Sequence, residues 1–214
     1  VDSLHSEGEV VFEKTNFYAE SGGQVSDIGY IKNDTCELKV NSVNKAPNKQ
    51  FLHHVDVLFG EVKVGDEFTL TPDFQRRDVI RRNHSSAHLL QAALQKCVSK
   101  DVHKAGSFVS DEVMRFDFTF ERKLTSEEID KVEKMVNDEI AKKIVCTTEV
   151  MDIEDAKKTG AMALFSEKYD EKVRVVSFGD FSKEFCAGTH VSNTSDILLF
   201  KIVSEEAISS GVRR

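Results

Sequence analysis

Two pairs of side chains, set far apart along the chain, restrict the folds open to it. Cys186-Ala187-Gly188-Thr189-His190 holds a thiol and an imidazole four residues apart across a small, flexible Ala-Gly link. Far upstream, His84-Ser85-Ser86-Ala87-His88 offers two imidazoles at the same spacing. One sulfur and three nitrogens suit zinc, which takes thiolate and imidazole ligands in tetrahedral sites. A chain that uses all four must fold so that the two segments meet. A closed four-ligand shell is typically structural, whereas three protein ligands plus water or substrate are typically catalytic. The quartet fits either case, with His190 as fourth ligand or set back to leave that position to water.

The local pattern places the first pair on a helix running from Asn83, as N-cap, to about residue 99. Leu90, Ala93, Leu94 and Cys97 form its apolar stripe. His84 and His88 project from another face, which Gln91 and Gln95 continue. No Glu follows the first His, so this is not the metalloprotease motif. Immediately upstream, Arg76-Arg77-Asp78-Val79-Ile80-Arg81-Arg82 is the densest positive cluster in the chain. Guanidinium forks match phosphate well. The alternative is a solvated helix face laced with salt bridges.

Residues 1–72 read as β structure. Strand candidates at 9–13, 37–40, 62–64 and 68–70 are divided by Gly, Asn and Asp, which predicts a small barrel. Among them, Glu20-Ser21-Gly22-Gly23-Gln24 reads either as a loop that aims Gln24 or as a hairpin turn with an exposed Gln. Pro72 and Asp73 mark a boundary. Beyond it a strand is expected over 102–108, broken at Gly106, and a second over 113–120 with Met114, Phe116, Phe118 and Phe120 facing the core. Thr125-Ser126-Glu127-Glu128 is a capping box, with Leu124 and Ile129 as a hydrophobic staple, for a helix reaching about Lys143. A strand at 144–148, a short helix at 152–159 capped by Asp152 and closed by Gly160, and strands at 173–178 and 197–203 complete the pattern. The fold class is α+β (α/β): a small N-terminal β-barrel over 1–75, then a two-layer core of antiparallel or mixed sheet with helices over 76–214.

At 214 residues the chain can bury a core without disulfides. Its four cysteines, Cys36, Cys97, Cys146 and Cys186, form no Cys-x-x-Cys pair, which points to a reducing, cytoplasmic setting. Cys97 and Cys146 read as inert packed thiols. No apolar run reaches the roughly 18 residues that a membrane helix needs. The start at Val1, without Met, suggests an excised piece of a larger protein. A net charge of −8 argues against a surface coated with nucleic-acid contacts, but not against a local basic patch.

Five blocks, taken in order, resemble the editing domain of alanyl-tRNA synthetases of bacterial type. They are Phe17-Tyr18-Ala19-Glu20-Ser21-Gly22-Gly23-Gln24, Asn83-His84-Ser85-Ser86-Ala87-His88-Leu89-Leu90, Gly160-Ala161-Met162-Ala163-Leu164-Phe165, Cys186-Ala187-Gly188-Thr189-His190 and Gly211-Val212-Arg213-Arg214. Threonyl-tRNA synthetases share the two metal pairs but not the Gly-Gly-Gln block. The resemblance implies a zinc-dependent deacylase that clears Ser or Gly from alanine tRNA, with His84, His88, Cys186 and His190 as zinc ligands and Cys186 essential to catalysis. It also implies that Gln24 acts in the editing pocket, that Ser107 meets the substrate's polar side chain, and that Arg81 and Arg82 contact the tRNA acceptor end. The implied partners are that acceptor end and the rest of the synthetase. Ala87, Ala187 and Lys104 depart from residues common in the family. The alternatives are a free-standing trans-editing deacylase, a tRNA-binding module with a structural zinc, and a zinc hydrolase of small acyl esters.

Overall fold

The computed structural model describes residues 3–163 and 170–214. The Leu164-Phe165 end of the third block lies outside the described residues. The chain divides into two compact units, Val1–Val79 and Ile80–Arg214.

The first unit contains β1 (Ser3–Leu4), β2 (Glu7–Val10), β3 (Gly29–Lys32), β4 (Glu37–Lys45), β5 (Phe51–Phe59), β6 (Val62–Lys63) and β7 (Thr69–Pro72). Five of them form one antiparallel sheet in the order β2-β5-β4-β3-β7, while β1 pairs with β6. Ile31, Leu38, Val40, Val43 and Val55 supply its buried apolar face. At Gly29 a Cβ would lie 2.3 Å from the Thr71 carbonyl oxygen, so glycine is what lets β3 and β7 approach there. The expected barrel is not what forms among the described residues. Closure needs the two edge strands to meet, and here hydrogen bonding ends at β2 on one side and β7 on the other, leaving an open sheet.

Helix α1 (Phe74–Cys97) starts in the first unit and ends in the second. Its start corrects the expected one. Asp73 caps it, its carboxylate accepting the Arg76 N–H at 2.9 Å and its carbonyl the Arg77 N–H at 2.9 Å. Asn83 is therefore an interior residue, and its amide donates to the Ser110 carbonyl at 2.7 Å.

The second unit continues with β8 (Lys104–Val109), β9 (Met114–Thr119), α2 (Ser126–Ala141), β10 (Cys146–Asp152), α3 (Ile153–Lys158), β11 (Lys172–Phe178), β12 (Ser182–Phe185), β13 (Ala207–Ser209) and β14 (Val212–Arg213). One antiparallel sheet runs β13-β14-β9-β8 and another β10-β11-β12, giving a mixed α+β architecture. Phe116 and Phe118 are buried on β9, and Met114 and Phe120 pack against the same core. Gly106 marks a shift in the β8–β9 register. On α2 both halves of the capping box form: Thr125 accepts from the Glu128 N–H at 3.1 Å, and Glu128 accepts from the Thr125 N–H at 2.8 Å. Buried Val132, Val136 and Ile140 join the core with Leu89 and Leu94 of α1 and Val176 and Phe178 of β11. Asp152 precedes α3 but makes no side-chain cap.

The strand expected over 197–203 is absent. Thr194–Ile197 is a 3₁₀ turn, and the segment after it is held by side chains of α2. The Asn137 amide brackets Phe200, accepting its N–H at 2.9 Å and donating to its carbonyl at 2.9 Å. Glu133 accepts from the Ile202 N–H at 2.9 Å and from Lys201 at 2.8 Å. The Phe200 and Ile202 backbone groups thus find their partners on the helix rather than in a ladder.

Candidate metal centre

Two elements of the second unit deliver the quartet. One turn of α1 separates His84 from His88, so both rings leave the same face, and both are buried. The chain leaving β12 supplies Cys186 and then His190. Ligand atoms of His84, His88, Cys186 and His190 all lie within 4.8 Å of one another. The Cys186 Sγ is 3.5 Å from the His84 Nε2 and 3.3 Å from the His190 Nε2. The His190 ring lies 4.5 Å from that of His84 and 4.4 Å from that of His88, centroid to centroid. Such a group could hold a metal ion.

Neighbouring groups hold these four side chains in place. The Ser85 hydroxyl sits 3.1 Å from the His190 Nδ1 and accepts the Val191 N–H at 3.1 Å. The Gly188 N–H donates to the Cys186 sulfur at 3.4 Å. One Arg174 nitrogen donates to the carbonyls of Cys186, at 2.9 Å, and Gly188, at 2.6 Å, which ties down the loop between the last two ligands.

The electrostatics keep the imidazoles neutral. Burial, aided by the positive charges of Lys104 and Arg174, lowers His84 to about 3. His88 is driven well below its ordinary value by burial and then by His84, Lys104 and Arg174. Burial likewise lowers His190, with His88, His84 and Arg174 adding to it. Burial pushes the Cys186 thiol up to about 11, against the Gly188 N–H. A bound cation acts in the opposite sense on the thiol, because it stabilises the thiolate. Neutral imidazoles, a polarisable sulfur and a preset loop fit a zinc-type ion.

The other residues named from sequence are described by their own elements. Gln24 belongs to the first unit and closes a tight turn: its N–H donates to the Ser21 carbonyl at 3.0 Å, and Gly22 and Gly23 take φ of 58° and 84°. Its side chain is buried, not exposed as a plain surface hairpin would have it. Asp27 closes the wider loop, accepting the Tyr18 N–H at 2.6 Å and pairing with the buried Arg77 guanidinium. Arg76 donates to the Ser26 carbonyl at 2.9 Å. Two of the four clustered arginines are thus structural. Arg81 and Arg82 are half-buried in the turn of α1 before His84. Ser107 sits on β8 opposite Phe116. The C-terminal arginines also make ion pairs, Arg213 with Glu205 at 2.5 Å and Arg214 with Asp117 at 2.7 Å.

The sequence reading missed Glu184. Its carboxylate is 3.6 Å from the His88 Nε2, and burial raises it to about 8 against the pull of Lys104. The signal was period two: Ser182 pairs with Phe178 and Glu184 with Val176, so Ser182 and Glu184 share the core face of β12, and Cys186 continues the same spacing. Gln91 and Gln95 extend the histidine face as expected, and both donate to the Met162 sulfur, at 3.4 and 3.8 Å.

Comparison with known proteins defines a class first. The profile described as tRNA synthetases class II (A) matches residues 3–76, and that described as Threonyl and Alanyl tRNA synthetase second additional domain matches residues 173–214. The narrower relationship follows from curated relatives. The chain is 53% identical over 205 residues to alanine–tRNA ligase 1 of Lachnoclostridium phytofermentans, which covers 96% of this chain and 23% of that protein. It is 51% identical over 213 residues to the alanine–tRNA ligase of Streptococcus mutans, covering 98% of this chain and 24% of that protein. The Listeria innocua enzyme is 49% identical over 209 residues, with 98% and 24% covered. By sequence the chain belongs with the alanine–tRNA ligases, and it spans about a quarter of the length of these relatives.

Proposed function

We propose that the chain hydrolyses the ester joining a wrong amino acid, serine or glycine, to alanine tRNA, using a zinc ion held by His84, His88, Cys186 and His190. The observation that carries this reading is the meeting of those four ligand groups within 4.8 Å on a chain about half identical to alanine–tRNA ligases. When bound, zinc supplies Lewis acidity to polarise the ester carbonyl or to activate a water. The chain's own residues do the rest. Ser85 fixes the His190 ring, Arg174 fixes the loop after Cys186, and the buried surroundings keep the imidazoles available as ligands.

The selection problem is one of size. Alanine is larger than glycine and smaller than serine, so one steric sieve cannot reject both. A second site that hydrogen-bonds the serine hydroxyl rejects alanine by leaving its own polar groups unpaired. On the resemblance we assign that role to Gln24 and Ser107, and phosphate contacts with the acceptor end to Arg81 and Arg82. In this reading residues 1–75 carry the Gly-Gly-Gln loop and residues 76–214 the zinc. The partners are the acceptor end of alanine tRNA and the remainder of a synthetase, in the cytoplasm.

Hydrolysis of Ser-tRNA(Ala) and Gly-tRNA(Ala) by the purified chain tests the proposal. Cys186→Ala is expected to lower the rate by at least about a hundredfold, and full activity in that variant would overturn it. The closure of all four ligands on one another also favours a second reading, a structural zinc in a tRNA-binding module. In that case chelation lowers the melting temperature and tRNA affinity, and no ester turnover occurs.

A further inference from the structure

We propose that a cavity beyond the metal ligands along α1 binds a nucleoside phosphate. It measures about 780 Å³ and is lined by residues of the second unit, none of them a member of the quartet. That volume falls within the ~300–1,000 Å³ typical of small-molecule sites. It is far more than a lone phosphate needs and is suited to a base and ribose as well.

Charge selects the ligand. Lys96, Lys100 and Lys183 line the cavity against a single carboxylate, Asp180, in a chain whose net charge is −8. Among the described residues none of these ammonium groups has an ion-pair partner; Lys96 lies over the Phe181 ring, 5.3 Å from its centroid. Lys96 sits in the last turn of α1 and Lys100 three residues beyond its end, where cations offset the exposed carbonyls. That explanation does not reach Lys183, which arrives from β12. The helix end opposes an anion only weakly, by a partial charge, and three full positive charges outweigh it.

A second, independent feature points to a missing partner. Ser182 lines the cavity and is only 5% exposed, and its hydroxyl finds no hydrogen-bond partner among the described residues. A buried hydroxyl left unpaired is destabilising, so such a group marks a place where a ligand atom can bond. Val98, Met162 and Phe181 add an apolar wall; the Gln95 amide nitrogen already donates to the Val102 carbonyl at 2.8 Å, so Gln95 offers its oxygen as an acceptor and Ser99 its hydroxyl as a donor for a base edge. Cationic rim, apolar wall and an unpaired hydroxyl together describe a phosphate attached to a flat ring.

The nucleoside phosphate can be a free mononucleotide or one unit of an RNA strand. Calorimetric titration of the zinc-loaded 214-residue chain with AMP, with inorganic phosphate and with a single-stranded RNA tetramer carrying no amino acid separates the two. AMP is expected to bind at least about tenfold more tightly than phosphate, and Lys100→Gln/Lys183→Gln to weaken AMP at least about tenfold at low salt. Zinc content and melting temperature stay unchanged, and Ser182→Ala provides a second, milder variant with a smaller loss. If the tetramer displaces AMP and binds more tightly, the natural occupant is a strand; if it does not compete, the occupant is free. Absence of AMP and tetramer binding at millimolar concentration, or binding indifferent to the lysine substitutions, overturns the proposal. No ester hydrolysis enters the measurement, so its outcome is independent of the deacylase reading.

Discussion

A histidine that ligates through one ring nitrogen needs a partner for the other, and Ser85 stands 3.1 Å from the His190 Nδ1. Ser85→Ala is expected to weaken zinc binding by about 10–100-fold while the chain stays folded. Competition against a chromogenic chelator reads this directly; unchanged affinity would mean that His190 does not ligate. Ser85 lies inside the His-x₃-His block, yet nothing in the sequence assigns it a role. The candidate ligands were legible because both pairs stand inside blocks that recur in order; either pair alone, at i, i+4, is not specific. Glu184 was not, because Ser182-Lys183-Glu184 reads as an ordinary polar run until the strand register shows which face turns inward.

At the scale of elements, α2 is the best specified. Thr125→Ala breaks the capping box and should cost about 1 kcal/mol, measured by urea denaturation. Glu128 adds a pH dependence. The Arg122 guanidinium, with the Thr125 N–H, lowers its carboxyl from 4.5 to about 2. A depressed folded-state value gives stability that is present above about 4.5 and lost as pH falls through about 2. Glu128→Gln is therefore expected to flatten the stability profile over that window, and an unchanged profile would show that the pair contributes nothing. The elements that sequence misjudged share one cause, partners that are remote in the chain. The run over 197–203 is apolar enough for a strand, but Asn137 and Glu133 of α2 take its backbone groups. Asn83 looks like a cap, but Asp73 starts α1 earlier because the arginine run is itself helical. β5 went unread because His53 interrupts its alternation; it is buried, sharing hydrogen bonds with Thr15 at 2.8 Å and the Val10 carbonyl at 3.1 Å.

For the whole chain, class and family were legible because five separated blocks recur in order, whereas the open form of the first unit's sheet, expected as a barrel, was not, since no local pattern encodes whether the edge strands pair. The acidic body, net −8, makes RNA binding depend on local cations. Arg81→Ala and Arg82→Ala should each weaken alanine tRNA binding and reduce the slope of log affinity against log salt by about 1, read by filter binding across a salt series. The central claim is that ester hydrolysis depends on a metal held by His84, His88, Cys186 and His190. It is tested most directly by the rate of serine release from Ser-tRNA(Ala) before chelation, after chelation and after zinc is returned. The account predicts activity that is lost on chelation and restored by zinc in the wild-type chain but not in Cys186→Ala; a rate that survives complete removal of the metal would contradict it.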